Sequence, residues 1–226
     1  MKINYPFFEI ILKDKMDKGH PRSMNIILEN VNSPYLFHME DDWKFFEKRR
    51  YITECINVLS QDEKYGQCLI NKNYSELFTD NIVGGFHHTC KDGAKYIVHE
   101  HCENNLQYNE FNKKYNHRSN CAYWPHFSFR VGITKREVFD TLGGYDESAK
   151  HFEMEYAYRY VSKGYKTTFL DGVYCAHIGR RTYERFDKTK LNAYDLNNVS
   201  QFGIKNDNKS SSKIEPKETP GVVLTK

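Results

Sequence analysis

The stretch "MNIILENVNSPYLFHMEDDW", residues 24–43, decides the fold class of this chain. Its first part places four apolar side chains at helical spacing, namely Met24, Ile27, Leu28 and Val31. The pair Ser33-Pro34 ends that helix, because the residue before a proline is biased away from the helical conformation. The apolar run that follows predicts a short buried strand from Tyr35 to Met39. A helix, a turn and a buried strand in this order indicate an α/β fold.

Three consecutive carboxylates, Glu40, Asp41 and Asp42, follow that strand. Alternate residues of an extended chain point to opposite sides, so Glu40 and Asp42 can converge while Asp41 points elsewhere. The carboxyl end of a buried strand is where α/β sheets bind ligands, and the acid-x-acid spacing suits a hard divalent cation shared with phosphate oxygens. The alternative is that the acids cap a following helix, predicted over 45–59, since carboxylates are favoured at a helix N-terminus.

Helices and strands continue to alternate beyond the carboxylates. Predicted helices cover 47–60, 135–142 and a stretch from 152 that ends at Gly164, and predicted strands cover 65–70, 127–133, 166–170 and a last strand that ends at His177. Thr134 is the predicted N-cap of the second of these helices, and Gly143-Gly144 its end. This order predicts one α/β domain over residues 1–205.

Two regions depart from that alternation. Residues 71–120 are rich in Asn, His and Tyr and have few aliphatic runs, which predicts a variable insertion of loops and short hairpins. Residues 206–226 are polar and contain little to bury, which predicts a disordered tail.

The composition excludes some classes of function. The 33 Lys and Arg residues nearly balance the 30 Asp and Glu residues, so the net charge of +3 gives no basis for nucleic-acid binding. No run approaches the roughly 20 apolar residues that span a bilayer, and charges follow the first apolar patch too soon for a signal peptide. We therefore expect no membrane span, and a cytoplasmic location is the default. The six cysteines form no CxxC pair, which favours reduced thiols over a disulfide framework.

Two groups of metal-binding residue types lie in the middle segment. The first contains His87, His88 and Cys90, and the second His99, His101 and Cys102. Imidazole and thiolate groups are the ligands of structural zinc, so a zinc-stabilised interaction domain is one hypothesis, although the spacings match no known zinc module.

Two further segments carry a resemblance to a known family. They are "FRVGITKREVFDTLGGYDES" at 129–148 and "FEMEYAYRYVSKGYKTTFLD" at 152–171. Together with the acid-x-acid motif and the helix before it, they resemble in the same order the motifs of inverting, family-two-like glycosyltransferases with the GT-A fold and a DxD motif. The resemblance covers roughly residues 18–180. It implies an α/β fold with a mixed sheet flanked by helices.

The resemblance implies roles for the acidic motif and a late histidine. Asp42 matches the acid that binds the metal, Mn²⁺ or Mg²⁺, and Glu40 matches the acid that contacts the metal or the ribose of the donor. His177 matches a third metal ligand found in some members, including enzymes that glycosylate collagen. Asp41 falls on the donor side, or else serves the backbone and the following helix. For His177 the alternative is an imidazole satisfied by backbone partners.

Other residues match the catalytic and binding positions of the family. Glu153 matches the catalytic base, and Glu155 the following acid on the acceptor side. Trp124 lies just before the strand that borders the acceptor, where an aromatic face can stack on a sugar. Arg180 and Arg181 match a basic segment that closes over the donor diphosphate. The alternatives are a solvated helix face for the glutamates, a buried core position for Trp124 and a charged surface loop for the arginines.

The implied function is transfer of a sugar, with inversion, from a nucleotide-sugar to a hydroxyl group of a glycan or protein. A UDP-sugar is the leading donor. Only 39 residues precede Glu40, whereas the family places two or more strand–helix units there to hold the nucleotide. We therefore expect an N-terminally short domain: either the chain lacks the first half of its nucleotide-binding domain, or a partner or a second copy supplies that half. The alternatives are a non-catalytic binding protein and the zinc-stabilised domain.

Overall fold

The computed structural model describes residues 19–72, 84–100, 127–149 and 152–178, together with 6–7, 9–14, 16–17, 110 and 113. The helices of this part are α1 (His20–Asn30), α2 (Tyr51–Leu59), α3 (Arg136–Leu142) and α4 (Phe152–Ser162). The strands are β1 (Tyr35–His38), β2 (Trp43–Phe45), β3 (Tyr65–Leu69), β4 (Gly85–Thr89), β5 (Lys95–His99), β6 (Gly132–Lys135), β7 (Lys166–Leu170) and β8 (Cys175–His177).

Six of these strands form one mixed sheet in the order β1-β6-β3-β7-β5-β4. Strands β3 and β7 are parallel, and the other neighbours in the sheet are antiparallel. Strands β2 and β8 pair separately as a two-stranded antiparallel sheet. The predicted α/β class, with a mixed sheet and flanking helices, is confirmed.

The sheet has an apolar cluster on each face, because successive strand side chains point to opposite sides. On one face α2 packs on side chains such as Cys68 and Ile133, with Tyr35 and Phe37 at the rim. On the other face α1, α3 and α4 enclose an aromatic cluster that contains Phe127, Tyr145, Phe152, Tyr156 and Tyr160. These two layers hold the strand ends in fixed positions.

Glycine allows a close approach between the sheet and α4. A Cβ atom on Gly66 of β3 would lie 2.7 Å from the hydroxyl oxygen of Tyr160, well inside contact distance. That hydroxyl donates a 2.7 Å hydrogen bond to the carbonyl oxygen of Lys166. The position therefore requires a residue without a side chain.

The start of the second helix was predicted wrongly. The predicted helix over 45–59 begins only at Tyr51, and Phe45 lies in β2 instead. The reason is non-local, because Trp43 to Phe45 pair with β8 near the far end of the described chain. The three carboxylates are therefore not at the N-terminus of α2.

A second boundary is displaced towards the C-terminus. The predicted strand at 127–133 is replaced by β6, and Thr134, the predicted N-cap, lies within that strand. Residue Phe127 instead packs into the aromatic cluster. The predicted helix end at Gly143 is present, with φ of 77°, and Gly164 follows α4 with φ of 81°.

The middle segment contributes to the main sheet. Strands β4 and β5 form a hairpin that adds two strands beyond β7. Other parts of 71–120, and the predicted tail at 206–226, lie outside the described residues. No helix in the described part of the chain is long and apolar enough to cross a membrane.

Candidate functional site

The carboxylates lie between the main sheet and the small one. After β1 the chain passes Met39 and Glu40, turns at Asp41-Asp42 and enters β2. Trp43 at the start of β2 lies opposite His177 at the end of β8, and the Ile178 N–H donates a 2.7 Å hydrogen bond to the Asp42 carbonyl oxygen. The pairing of the short strands thus brings His177 to the acidic turn.

A buried asparagine fixes the start of β8. The Asn71 amide nitrogen donates to the Cys175 carbonyl oxygen at 2.6 Å, and its amide oxygen accepts the Tyr174 N–H at 2.9 Å. Because Asn71 follows β3, this contact ties the small sheet to the main one. The position of His177 is therefore set by the core as well as by β2.

Glu40, Asp42 and His177 form a cluster of potential metal ligands. Each offers one ligand atom, and these atoms all lie within 4.8 Å of one another. His177 Nε2 lies 2.9 Å from Asp42 Oδ2, and the Trp43 ring packs 5.2 Å from the His177 ring. Among the residues that the structure describes, no other group of three His, Cys, Asp or Glu side chains meets this criterion.

Among the described residues, His177 is the one potentially cationic side chain paired with a carboxylate of this cluster. Asp42 Oδ1 is buried and has no hydrogen-bond partner among the described residues. The pKa of Glu40 is raised, first by partial burial of the Glu40 carboxyl group and second by the negative charge of Asp42. No described lysine or arginine forms an ion pair with either carboxylate. Such a group of oxygens with one imidazole matches the ligand set of a divalent cation.

Glu153 lies in the first turn of α4, and its Oε1 accepts the Phe129 N–H at 2.9 Å. Burial raises the pKa of Glu153, while the Phe129 N–H and the charge of Arg130 act in the opposite direction. The charge of Glu40 raises the same pKa further. The two carboxylates are therefore within electrostatic range of each other.

Glu155 has different partners from Glu153. It forms an ion pair of 2.6 Å with Arg159 one turn later in α4. Arg159 also donates hydrogen bonds to the carbonyl oxygens of Leu142 and Gly144. The structure thus gives Glu155 a role in holding the end of α3.

Three residues near the site have no counterpart in the sequence-based assignments. Arg130 lies close enough to Glu153 to lower its pKa. No described residue forms a hydrogen bond with the buried His38 Nε2. Burial, and then the charge of His20, lower the pKa of His38 to about 4. Both imidazoles pack on the Phe129 ring. The sequence predicts His38 in one strand and Arg130 in another, but no sequence pattern indicates that both lie near the candidate site.

The predicted zinc ligands are not brought together where the structure describes them. His87 Nδ1 lies 3.1 Å from Asp171 Oδ2, His88 stacks on Tyr96, and His99 is buried with Nδ1 2.9 Å from the Gly84 carbonyl oxygen. Cys90 is a buried free thiol, as are Cys55, Cys68 and Cys175.

Several predicted site residues lie outside the described part of the chain. They are Trp124, Arg180 and Arg181 of the proposed substrate contacts, and His101 and Cys102 of the zinc hypothesis. Asp41 is described, and it lies exposed in the turn between Glu40 and Asp42.

Comparison of the sequence with protein-family models and with curated proteins finds no match. The features of the molecule that bear on function are therefore the geometry of the Glu40, Asp42 and His177 cluster and its electrostatic interaction with Glu153.

Proposed function

We propose that this chain is a metal-dependent glycosyltransferase of GT-A type, which transfers a sugar from a UDP-sugar to a hydroxyl acceptor with inversion. One observation carries the proposal: ligand atoms of Glu40, Asp42 and His177 converge within 4.8 Å, and the buried Asp42 Oδ1 has no hydrogen-bond partner among the described residues. The order of the motifs that resemble the family supports the same assignment.

The residues of the cluster fit the metal that this function requires. Glu40, Asp42 and His177 would hold it, and carboxylate oxygens with one imidazole are suitable ligands for Mn²⁺, with Mg²⁺ as the alternative. When bound, the ion supplies positive charge that stabilises the departing nucleoside diphosphate. Asp42 Oδ1 would then gain the partner that it lacks among the described side chains.

Glu153 is the residue that we assign as general base. In the transfer, the acceptor oxygen forms a bond to the anomeric carbon, the bond from that carbon to the diphosphate oxygen breaks, and the hydroxyl proton moves to Glu153. The Phe129 N–H holds this carboxylate in one orientation. Its raised pKa makes it a stronger base than an exposed glutamate, which suits proton abstraction near neutral pH.

The first experiment measures nucleotide release with Mn²⁺, a panel of nucleotide-sugars and hydroxyl acceptors. We expect release with a UDP-sugar and a loss of at least about 100-fold for Asp42→Asn, because a metal ligand is removed. Asp171→Asn is the matched control, since Asp171 also lies close to a histidine but has Lys72 as a second partner. Absence of both release and metal-dependent UDP binding would refute the proposal.

The second experiment separates the base from the donor site. Glu153→Gln keeps an acceptor for the Phe129 N–H but cannot take a proton, so we expect transfer to fall by about 100- to 10,000-fold while metal-dependent UDP binding is retained. Glu155→Gln makes the same change two residues away, and we expect it to reduce transfer by less than about 10-fold. Full turnover by Glu153→Gln would show that another group acts as the base.

The position of β1 favours a second candidate function, a binding protein that holds metal and nucleotide without turnover. β1 lies at the edge of the sheet, and no described strand–helix unit lies beyond it to hold the nucleotide. Calorimetric titration with UDP in the presence of Mn²⁺ distinguishes the two candidates. Binding without release or transfer for any donor would favour the second.

A further inference from the structure

We propose that the outer edge of β1, with the adjoining side of α2, is a homodimer interface in which a second copy of this chain pairs its own β1 antiparallel. The inference does not depend on the proposed enzymatic function. It rests on the open edge of the sheet, the apolar side chains beside it and the opposite charges at its two ends.

The open edge is the first element of the argument. β1 pairs with β6 on one side, and none of the described strands pairs with its other side. An unpaired strand edge presents backbone N–H and C=O groups that can accept another strand. All four residues of β1 are only partly buried, so the apolar layers of the sheet extend to this edge.

The surface beside this edge is apolar. Ile52 of α2 is 53% exposed and lines the same groove as the half-buried Phe37 and Phe45. The opposite edge of the sheet is more polar, because β4 exposes His87, His88 and Thr89 beside a single apolar side chain, Phe86. Apolar residues with aromatic side chains are typical of the centre of a protein–protein interface. The edge at β1 is therefore the better candidate for association.

The two ends of this edge carry opposite charge. At the Phe37 end, a groove of about 500 Å³ is lined by Lys48, Arg49 and Arg50, and no carboxylate lines it. At the Tyr35 end, a groove of about 600 Å³ has four carboxylates against two cations, which are Asp62, Glu63, Glu137 and Asp140 against Lys135 and Arg136. The ends are joined by α2, which runs antiparallel to β1.

Some of these charges have no internal partner. Within the described residues, Lys48 and Arg50 at the basic end form no ion pair, and neither do Asp62 and Glu63 at the acidic end. All four residues are exposed. They are therefore available to a partner of opposite charge.

This pattern identifies a second copy as the occupant. Antiparallel pairing of two β1 strands about a two-fold axis places the basic end of each copy against the acidic end of the other. Parallel pairing would instead bring like charges together, which is unfavourable. The interface is self-complementary in one orientation only.

The test compares charge-reversal variants by light scattering after size exclusion. We expect the wild-type chain at about 100 µM to show twice its mass of 26.8 kDa, because stable dimers dissociate well below that concentration. The double variants Lys48→Glu/Arg50→Glu and Asp62→Lys/Glu63→Lys each place like charges at both contacts, and we expect the dissociation constant to rise by about 100-fold.

Mixing the two variants gives a sharper result. In a heterodimer, the end made acidic in one chain contacts the end made basic in the other. At the second contact, the unchanged acidic end of the first chain meets the unchanged basic end of the second. We therefore expect dimers in the mixture although each variant alone is monomeric. The matched control is Lys91→Glu/Lys95→Glu in the β4–β5 hairpin, which we expect to remain dimeric like the wild type.

Other outcomes overturn the inference. A monomeric wild type at this concentration, or a mixture that stays monomeric, would exclude the antiparallel β1 interface. Hydrogen exchange of the Tyr35 to His38 amides gives a second measurement, and equal protection in wild type and monomeric variants would show that the chain's own residues cover the edge. Should a double variant fail to fold by circular dichroism, Ile52→Glu tests the same surface with one exposed substitution.

Discussion

Two aspartates, Asp42 and Asp171, each lie beside a histidine near a strand end, and their surroundings differ. His177 Nε2 lies 2.9 Å from Asp42 Oδ2, and His87 Nδ1 lies 3.1 Å from Asp171 Oδ2. The second oxygen of Asp171 is 2.9 Å from Lys72 Nζ, whereas the second oxygen of Asp42 is buried without a partner in the described part of the chain. Within that part, Asp171 is paired with a lysine, and Asp42 is paired with neither a lysine nor an arginine.

The pKa directions reflect the same difference. Burial acts to raise the pKa of Asp171, but Lys72 and His87 outweigh it and hold that pKa below its ordinary value. Beside Asp42, burial and the charge of Asp42 raise the pKa of Glu40. The surroundings of Asp171 favour its charged carboxylate, whereas the charged carboxylates of Glu40 and Asp42 repel each other. A cation from solution would offset that repulsion.

The largest predicted effect is stabilisation by Mn²⁺. At 100 times the dissociation constant, a ligand that binds only the folded state adds about 2.7 kcal/mol, or about 5 to 10 °C in Tm for a chain of this size. We expect this increment in the wild type and in Asp171→Asn, but not in Asp42→Asn. Thermal unfolding with Mn²⁺ and with a chelator measures it. An equal increment in all three proteins would place the metal elsewhere.

A smaller effect concerns stability without metal. Asp171→Asn leaves a partly buried Lys72 without its ion pair, so we expect the free energy of unfolding in urea to fall by about 1 to 3 kcal/mol. Asp42→Asn removes a charge that pairs with no lysine or arginine among the described residues, and we expect no loss or a gain of up to about 1 kcal/mol when His177 is neutral. Similar losses in both variants would contradict the comparison.

Sequence patterns predicted much of the fold. The α/β class, β7 and the helix ends near Gly143 and Gly164 follow from local periodicity and from glycine at positive φ. The errors at β2 and β6 have a different origin. Strands β2 and β6 are stabilised by pairing with strands that are distant in sequence. The pattern of neighbouring residues does not predict such pairing.

The sequence predicted part of the site, again from a local pattern. Acid-x-acid spacing indicated that Glu40 and Asp42 could converge, and they lie together with His177 in the structure. The buried state of Asp42 Oδ1 and the proximity of Arg130 to Glu153 depend on packing between segments that no spacing rule connects. The assignment of these residues to sugar transfer stays a prediction.

The next effect is the pH dependence of the Asp171 contact. A carboxyl group whose folded pKa is lowered stabilises the protein above its unfolded pKa, here 3.8, and this contribution is lost as the pH falls through the folded value. We therefore expect the cost of Asp171→Asn to be full at neutral pH and to disappear under strongly acidic conditions. Urea titrations at several pH values measure it. A cost that persists there would show that packing, not charge, is involved.

The smallest effect has the opposite sign. The folded pKa of Glu40 is raised above 4.5, so its ionisation destabilises the metal-free protein at neutral pH, and that penalty is absent below the unfolded pKa. We expect Glu40→Gln to gain less than about 0.5 kcal/mol at neutral pH and nothing near pH 4, since the residue as a whole is exposed although its carboxyl group is partly buried. The chelated protein is the one to measure. A gain that grows as the pH falls would contradict the assigned direction.

The pairing of β2 with β8 has a kinetic consequence. The contact between His177 and Asp42 closes a loop of 135 residues, and such long-range contacts form late because the chain entropy must be lost first. A cation bound there would stabilise the native state more than the transition state for folding. We therefore expect Mn²⁺ to slow unfolding strongly while it leaves the folding rate almost unchanged.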